Sequence, residues 1–303
     1  MKSKKESGYF RKNGREGYVF ISLWLAGIII FRLFPLLYSL VCSFSDLKLF
    51  AGVRKWGFMN YTHIVNDSRI LTSFFTTLRY AAVTVPMKTG VALLAAVLLN
   101  RAVKGMHFFR TLFYIPTLLG SSVAISVLWK ALFRDDGVIN LLAEKAGIQP
   151  VHWLSDSTCA LWVISLLRIW QFGSVMVVFL AALKSIPSEL YDAAEIDGAG
   201  RIKKFFSITF PFLTPVIFYS IITQTGLALQ EFNAPFIITQ GGPRNSTTLI
   251  SVLIYNTAFQ QKDMGLACAL TWFFLIIVSV ITAALFISQK YWVYYNGDFQ
   301  EEK

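Results

Sequence analysis

Residues 185–215 read SIPSELYDAAEIDGAGRIKKFFSITFPFLTP, a long charged passage between two strongly apolar segments. Pro187 favours the start of a helix, because its fixed φ suits the first turn and its missing N–H is not needed there. The pair Asp197-Gly198 favours a sharp helix end, since glycine accepts a left-handed backbone. The stretch therefore predicts a short helix, a turn at Gly198 and a second helical arm.

Both arms are amphipathic at helical spacing. One face of the first arm carries Leu190, Ala193, Ala194 and Asp197. The two alanines have small side chains, so this face can approach another surface closely. The second arm carries apolar residues on one face and basic residues around it, which is typical of a helix at a membrane interface.

The same stretch resembles the cytoplasmic loop, called the EAA loop, of the membrane subunits of binding-protein-dependent ATP-binding-cassette (ABC) importers. In that resemblance Asp192-Ala193-Ala194 matches the acid-Ala-Ala of the loop, and Asp197-Gly198-Ala199 matches its Asp-Gly-Ala. Asp192 stands where the family usually has Glu, so the charge is kept and its reach is shorter. The closing residues of the loop motif fall on Ile208, Pro211, Leu213 and Pro215.

The resemblance implies that residues 185–215 dock in a cleft of a cytoplasmic ATPase and move when the ATPase closes. It implies coupling roles for Glu189, Asp192, Ala193, Ala194, Asp197, Gly198, Ala199 and Pro211. The alternative interpretation is an amphipathic hairpin at the membrane surface that binds no partner.

The composition excludes an ordinary soluble domain. Of 303 residues, 55% are hydrophobic, and the mean hydropathy is +0.56. The net charge of +11 comes from basic residues that flank apolar segments. This pattern predicts contact with membrane lipid and not with nucleic acid. Three unpaired cysteines and three scattered histidines predict neither a disulfide framework nor a metal site.

Six apolar segments are long enough to cross a bilayer. They are Tyr18 to about Phe44, Leu71–Asn100, Phe108–Phe133, Thr158–Leu183, Phe210–Leu229 and Cys268–Trp292. We therefore expect an all-α integral membrane protein with six transmembrane helices. Lys and Arg are more numerous on the side that holds both termini and residues 185–215, so this side is predicted to be cytoplasmic.

The passage between the last two spans, Gln230–Leu270, is neither a clean span nor an ordinary loop. A Gly-Gly-Pro sequence that begins at Gly241 breaks any helix, and Leu249–Phe259 predicts a short amphipathic helix. Non-helical backbone at membrane depth is tolerated where it packs on protein or lines a wet cavity. We therefore expect this passage to cover the outer mouth of a pathway.

The passage also resembles the Gly-Gly-Pro segment of one membrane subunit of the maltose and glycerol-phosphate type of importer. Asn233 and Gln240 replace residues that are more often Asp and Gly in that segment. The resemblance implies a type I ABC importer permease fold and a substrate of the carbohydrate class. It implies a cytoplasmic tail (1–17), a first helix with its external loop (18–71), a permease core (72–290) and a second tail (291–303).

A sugar path requires groups that bind hydroxyls and aromatic faces that stack on sugar rings. Candidates in or beside the fourth and fifth spans are Arg168, Trp170, Gln171, Gln224, Gln230, Glu231 and Asn233. The alternative role of each is hydrogen bonding between helices, which is common for polar residues in membranes.

Other activities lack their motifs. The sequence contains no GxxxxGK[ST] phosphate loop, so this chain is not the ATPase, and it has no GxSxG or HExxH motif, so no enzyme activity is predicted. The charges inside the spans are Arg32, Arg79, Lys88 and Arg168, without the carboxylates that proton-coupled carriers commonly use. The alternative to an ATP-driven permease is an ATP-independent secondary transporter or channel.

The resemblance implies a complex in a bacterial plasma membrane. Its partners are a second homologous permease, two cytoplasmic ATPase subunits and an extracytoplasmic solute-binding protein. ATP and Mg belong to the ATPase subunits, and no cofactor is expected on this chain.

Overall fold

The computed structural model describes residue 18 and residues 21–53, 55–100, 105–120 and 122–294. In this part of the chain the β-structure is limited to isolated bridges. The helices are α1 (Ile21–Ser43), α2 (Met59–Asn66), α3 (Ser68–Leu99), α4 (Met106–Leu118), α5 (Val123–Leu132), α6 (Val138–Lys145), α7 (Ser157–Trp170), α8 (Gly173–Ser185), α9 (Ser188–Ile196), α10 (Arg201–Leu229), α11 (Ile250–Tyr255) and α12 (Met264–Ser288). The all-α prediction is confirmed, and the predicted cytoplasmic tail 1–17 lies outside the described residues.

Four helices, α1, α3, α10 and α12, are long and apolar enough to cross a bilayer. Two bent pairs, α4 with α5 and α7 with α8, raise the number of crossings to six if each pair is one span. The predicted spans Phe108–Phe133 and Thr158–Leu183 are therefore each formed by two helices with a break between them. The second pair bends by 44°, and the break lies at Gln171 and Phe172.

The break between α7 and α8 lies at two contacts with α4 and the residue Gly120 that follows it. The Gln171 side-chain amide donates a hydrogen bond to the Gly120 carbonyl at 2.7 Å. Gly173, the first residue of α8, lies against the backbone of α4, where a Cβ would be only 2.6 Å from the Phe113 oxygen and 2.8 Å from the Tyr114 Cα. The missing side chain therefore permits a close contact between these two helices.

We expect Gly173→Ala to destabilise the protein by about 1–3 kcal/mol, because α4 must shift to admit the methyl group. Gly90→Ala is the matched control, since Gly90 lies inside α3 with no atom within 4 Å of its Cβ position. Alanine there should be neutral or stabilising by up to about 1 kcal/mol, because it is the better helix former. Thermal unfolding in detergent measures both variants, and equal unfolding temperatures would contradict the close-contact argument.

The second arm of residues 185–215 is helical, as predicted, and it is continuous with the span that follows, while its place at the membrane interface stays a prediction. It is the start of α10, which continues from Arg201 to Leu229. Phe205–Thr209 form a π-helical turn, and the Phe210 N–H donates to the Phe205 oxygen. Pro211 follows directly and lacks a backbone donor, and the wider turn accommodates that irregularity without ending the helix.

The described chain divides into two compact units. One contains the described residues up to 66 together with 254–273, and the other contains 67–253 and the described residues from 274 onward. In the first unit the Asn60 side chain donates to the Ser43 and Ser45 carbonyls at 2.9 and 2.8 Å, which ties α2 to the end of α1.

The second unit is organised on α3, which packs against α7, α8 and α10. Two buried clusters lie along it. One includes Tyr80, Ile164, Leu167, Leu229, Ile238 and Leu249, and the other includes Ala92, Ala96, Met176, Phe179, Leu180 and Leu213. These clusters hold the helices that carry the polar residues of the site.

The part of the passage after α10 that belongs to the second unit, residues 230–253, folds on itself. Gly241 has a φ of +85°, and its carbonyl accepts a hydrogen bond from the Thr248 hydroxyl at 3.0 Å. The predicted short helix is confirmed as α11, whose first N–H, at Ile250, donates to the Thr77 hydroxyl at 2.9 Å. The role of this passage at the outer mouth of a pathway stays a prediction.

Candidate functional site

Helix α9 is the first part of the site. It begins directly after Pro187 and ends before Gly198, whose φ is +72°. The Gly198 N–H donates to the Glu195 carbonyl at 3.0 Å, and the Ala199 N–H donates to the Ala194 carbonyl at 2.8 Å. These bonds close the helix at a left-handed glycine. The predicted short helix and turn are confirmed.

No residue of α9 is buried by the rest of the described chain. Tyr191 and Ala194 are half-buried, and the Tyr191 hydroxyl lies 2.9 Å from the Thr209 hydroxyl of α10. The opposite side is open, and Ile196 is 88% exposed there. An apolar side chain with this exposure, on a helix fastened along one side, leaves a surface that a partner can cover.

A salt bridge joins α9 to α10 across the turn. The Lys204 ammonium lies 2.6 Å from a Glu195 carboxylate oxygen. Its hydrogen bond and its charge lower the pKa of Glu195 from the ordinary value. The Glu195 side chain is 78% exposed, so water screens this salt bridge. The salt bridge therefore contributes more to the geometry of the turn than to the stability of the protein.

The predicted coupling residues lie together on and around this turn. Glu189, Asp192, Ala193, Asp197 and Gly198 are exposed. Ala194, Ala199 and Pro211 are partly buried. Their role in coupling stays a prediction.

The second part of the site is a cavity of about 260 Å³ in the second unit. Residues from α3, α7, α10 and the segment after α10 form its wall. They are Tyr80, Thr84, Val85, Lys88, Arg168, Gln224, Leu227, Ala228, Gln230, Glu231, Phe232 and Asn233. Most of these side chains are polar, although the helices that carry them are strongly apolar.

Arg168 and Glu231 both line the cavity, and they form an ion pair with each other. The Glu231 side chain is only 1% exposed, whereas that of Arg168 is 21% exposed. A carboxylate oxygen of Glu231 also accepts the Ala234 N–H at 3.1 Å. Arg168 donates in addition to the Gln171 side-chain oxygen at 3.1 Å. Both charged groups are therefore held by hydrogen bonds as well as by each other.

One face of α3 supplies the opposite wall. Tyr80, Thr84 and Lys88 are spaced four residues apart and so share a helix face. The buried Tyr80 hydroxyl lies close to Thr84 and Arg168 without a hydrogen bond of ordinary geometry. These three residues are not among the predicted path residues, although polar residues at this spacing within an apolar span indicate such a path.

Five of the seven predicted path residues line the cavity: Arg168, Gln224, Gln230, Glu231 and Asn233. Trp170 and Gln171 are not among the lining residues. Trp170 packs on Trp129 with ring centroids 5.5 Å apart, and Gln171 bonds to the Gly120 carbonyl. Trp170 thus contacts α5, which matches the alternative of helix–helix contact, and Gln171 bonds to the residue Gly120 that follows α4.

The permease resemblance of the sequence extends over most of the second unit. The profile of the family described as binding-protein-dependent transport system inner membrane component matches residues 88–293. The chain belongs to this family. It is therefore a multi-pass membrane permease subunit of a transporter that works with a binding protein, and it is not an enzyme. Membership in this family therefore argues against the alternative of an ATP-independent secondary transporter or channel.

Individual relatives agree along the full chain. The chain is 42% identical over 297 residues to the probable ABC transporter permease protein YesP of Bacillus subtilis (strain 168), covering 97% of this chain and 96% of that protein. It is 33% identical to the lactose transport system permease protein LacF of Rhizobium radiobacter, covering 91% and 94% of the two chains.

A solved structure has the same fold. A crystal structure of a bacterial alginate ABC transporter, in complex with an alginate pentasaccharide-bound periplasmic protein, contains a chain that superposes with a TM-score of 0.78. The identity is 21%, and 92% of this chain and 96% of that chain are covered. The predicted type I importer permease fold is confirmed.

Proposed function

We propose that this chain is the pore subunit that moves a saccharide across the membrane, driven by ATP hydrolysis in separate subunits. The observation that carries the proposal is the cavity lined by polar side chains between α3, α7 and α10. The lactose permease among the relatives and the alginate transporter of the same fold support the saccharide class.

The lining of the cavity suits sugar hydroxyls, which donate and accept hydrogen bonds at the same time. The amides of Gln224, Gln230 and Asn233 can do both. Phe232 adds an aromatic ring, of the kind that packs on the apolar face of a sugar, and it stacks on Phe236 at 4.8 Å. These side chains line a cavity between packed helices, and the chain belongs to a family of transport-system membrane components.

The exposed side of α9 supports docking to an ATPase. In this proposal two cytoplasmic ATPase subunits bind ATP and Mg, and one of them covers the surface around Ile196 and Gly198. A second homologous permease completes the pore, and both termini lie in the cytoplasm. ATPase closure shifts the pore only if docking persists in both states and favours one of them.

Reconstitution tests the proposal. The chain is co-purified with its partner permease and ATPase, placed in proteoliposomes, and supplied with the binding protein and a panel of labelled neutral and acidic saccharides. We expect uptake of at least one saccharide only when ATP and the binding protein are both present. Uptake by this chain alone in an ion gradient, or no saccharide uptake by the complete complex, would contradict the proposal.

Substitutions distinguish the cavity from the helix contacts near it. Asn233→Ala should reduce uptake at limiting saccharide by about two- to tenfold, because one hydrogen bond to the substrate is worth about 0.5–1.5 kcal/mol. Gln171→Ala should instead lower the unfolding temperature, since it leaves the partly buried Gly120 carbonyl without its donor. Uptake kinetics and thermal unfolding are measured on both variants. Unchanged kinetics for Asn233→Ala would remove that residue from the path.

A further inference from the structure

The cavity contains an uncompensated positive charge. Three charged side chains line it: Lys88, Arg168 and Glu231. Arg168 and Glu231 neutralise each other in an ion pair. Lys88 is 9% exposed, and no salt bridge joins it to any residue in the described part of the chain. With Lys88 in its ammonium form, the lining carries one net positive charge.

The surrounding helices contain no second carboxylate for Lys88. The sequences of α3, α7 and α10 contain no Asp or Glu. Glu231 already binds Arg168 and the Ala234 N–H. An ammonium group in a membrane bundle is costly unless a partner or water compensates it, and such groups commonly mark substrate pathways.

We propose that the cavity binds a saccharide bearing a carboxylate, such as a uronic acid, and that Lys88 is its counter-charge. The inference rests on the proposed saccharide function and deepens it by naming the substrate class. The carboxylate supplies the negative charge that the bundle lacks, while the amides of Gln224 and Asn233 bind the hydroxyls. A neutral sugar would leave the Lys88 ammonium without a partner in the loaded cavity.

Matched probes test this inference on the complete transporter in proteoliposomes. The probes are galactobiose with digalacturonate, cellobiose with cellobiouronate, and mannobiose with dimannuronate. The variants are Lys88→Met, which removes the charge at similar length, and Lys88→Arg, which keeps it. Arg79→Met is the matched control, because Arg79 is an exposed base on the same helix outside the cavity.

We expect the unmodified transporter to take up at least one acidic probe. Lys88→Met should reduce that uptake at least tenfold, Lys88→Arg should retain most of it, and uptake of neutral probes should change less than threefold. Arg79→Met should behave as the unmodified protein. The ratio of acidic to neutral uptake is the deciding quantity, because a general folding defect lowers both rates.

A second measurement uses the unmodified transporter without its binding protein. A preference for acidic probes in this measurement cannot come from the binding protein. Without the binding protein, an acidic probe should raise the unfolding temperature of the purified complex more than its neutral partner does. Uptake confined to neutral probes, equal thermal shifts, or an equal loss of acidic and neutral uptake in Lys88→Met would each overturn the inference and leave the saccharide function intact. Absence of all uptake would instead contradict the proposed function.

Discussion

Replacing Gly198 with proline should abolish ATP-driven uptake while the protein remains in the membrane. Gly198 has a φ of +72°, whereas proline is held near −65°. The substitution also removes the N–H that bonds to the Glu195 carbonyl at 3.0 Å. The end of α9 must then rearrange, and the surface proposed to dock in the ATPase moves out of position. Uptake in proteoliposomes and the amount of protein in the membrane measure the effect.

Gly147 offers a closely matched control. It follows α6 with a φ of +76°, and its N–H donates to the Glu144 carbonyl at 2.9 Å. The next N–H, of Ile148, bonds to the Ala143 carbonyl at 2.9 Å, as Ala199 does at the end of α9. Gly147→Pro therefore damages the same type of turn away from α9, and most of the uptake should remain. Normal uptake by Gly198→Pro, or equal losses in both variants, would refute the coupling role.

A bulky side chain at Ala193 tests the same surface without altering the turn. Ala193 is exposed, so Ala193→Trp should fold normally. The indole would cover the face of α9 that carries the small alanine side chains, and it would prevent close docking of the ATPase there. We expect loss of ATP-coupled uptake with an unchanged unfolding temperature.

The second large effect is expected at the buried ion pair. Arg168→Met should destabilise the protein by about 3–5 kcal/mol, because it leaves the Glu231 carboxylate buried without its counter-charge. The Ala234 N–H does not compensate that charge, and Lys88 of the same cavity makes no salt bridge with Glu231. Thermal unfolding of the purified protein in detergent measures the loss.

The double variant Arg168→Met with Glu231→Gln removes both charges and keeps the approximate shapes. It should recover much of the lost stability, with a coupling between the two sites of at least about 1 kcal/mol. Arg79→Met, which removes an exposed arginine, should have little effect. If the effects at Arg168 and Glu231 simply add, the pair does not stabilise the bundle as proposed.

Sequence reasoning predicted the parts of the site that depend on neighbouring residues. The turn at Gly198 follows from the backbone freedom of glycine, and the short helix before it follows from spacing and from Pro187. The breaks within two of the predicted spans were not part of that prediction. The break at Gln171 lies at a contact with a distant part of the chain, where the Gln171 side chain donates a hydrogen bond to the Gly120 carbonyl.

The residues of the polar cavity were also predicted only in part from the sequence. Arg168, Glu231 and Asn233 were predicted because they are polar residues next to apolar spans. Trp170 and Gln171 satisfied the same rule but are not among the lining residues, since the end of α7 directs them to Trp129 and Gly120. Side-chain direction, and not position in the sequence, therefore separates Arg168 from Trp170, two residues apart on α7.

The sequence by itself determined that this protein is a helical membrane permease with a charged loop between two spans. Span length, hydropathy and glycine geometry are local properties, so they can be read along the chain. Only the tertiary structure decided which charges are compensated. It pairs Arg168 with Glu231 and brings Lys88 to the same cavity without a salt bridge, because burial and pairing depend on how distant helices pack together.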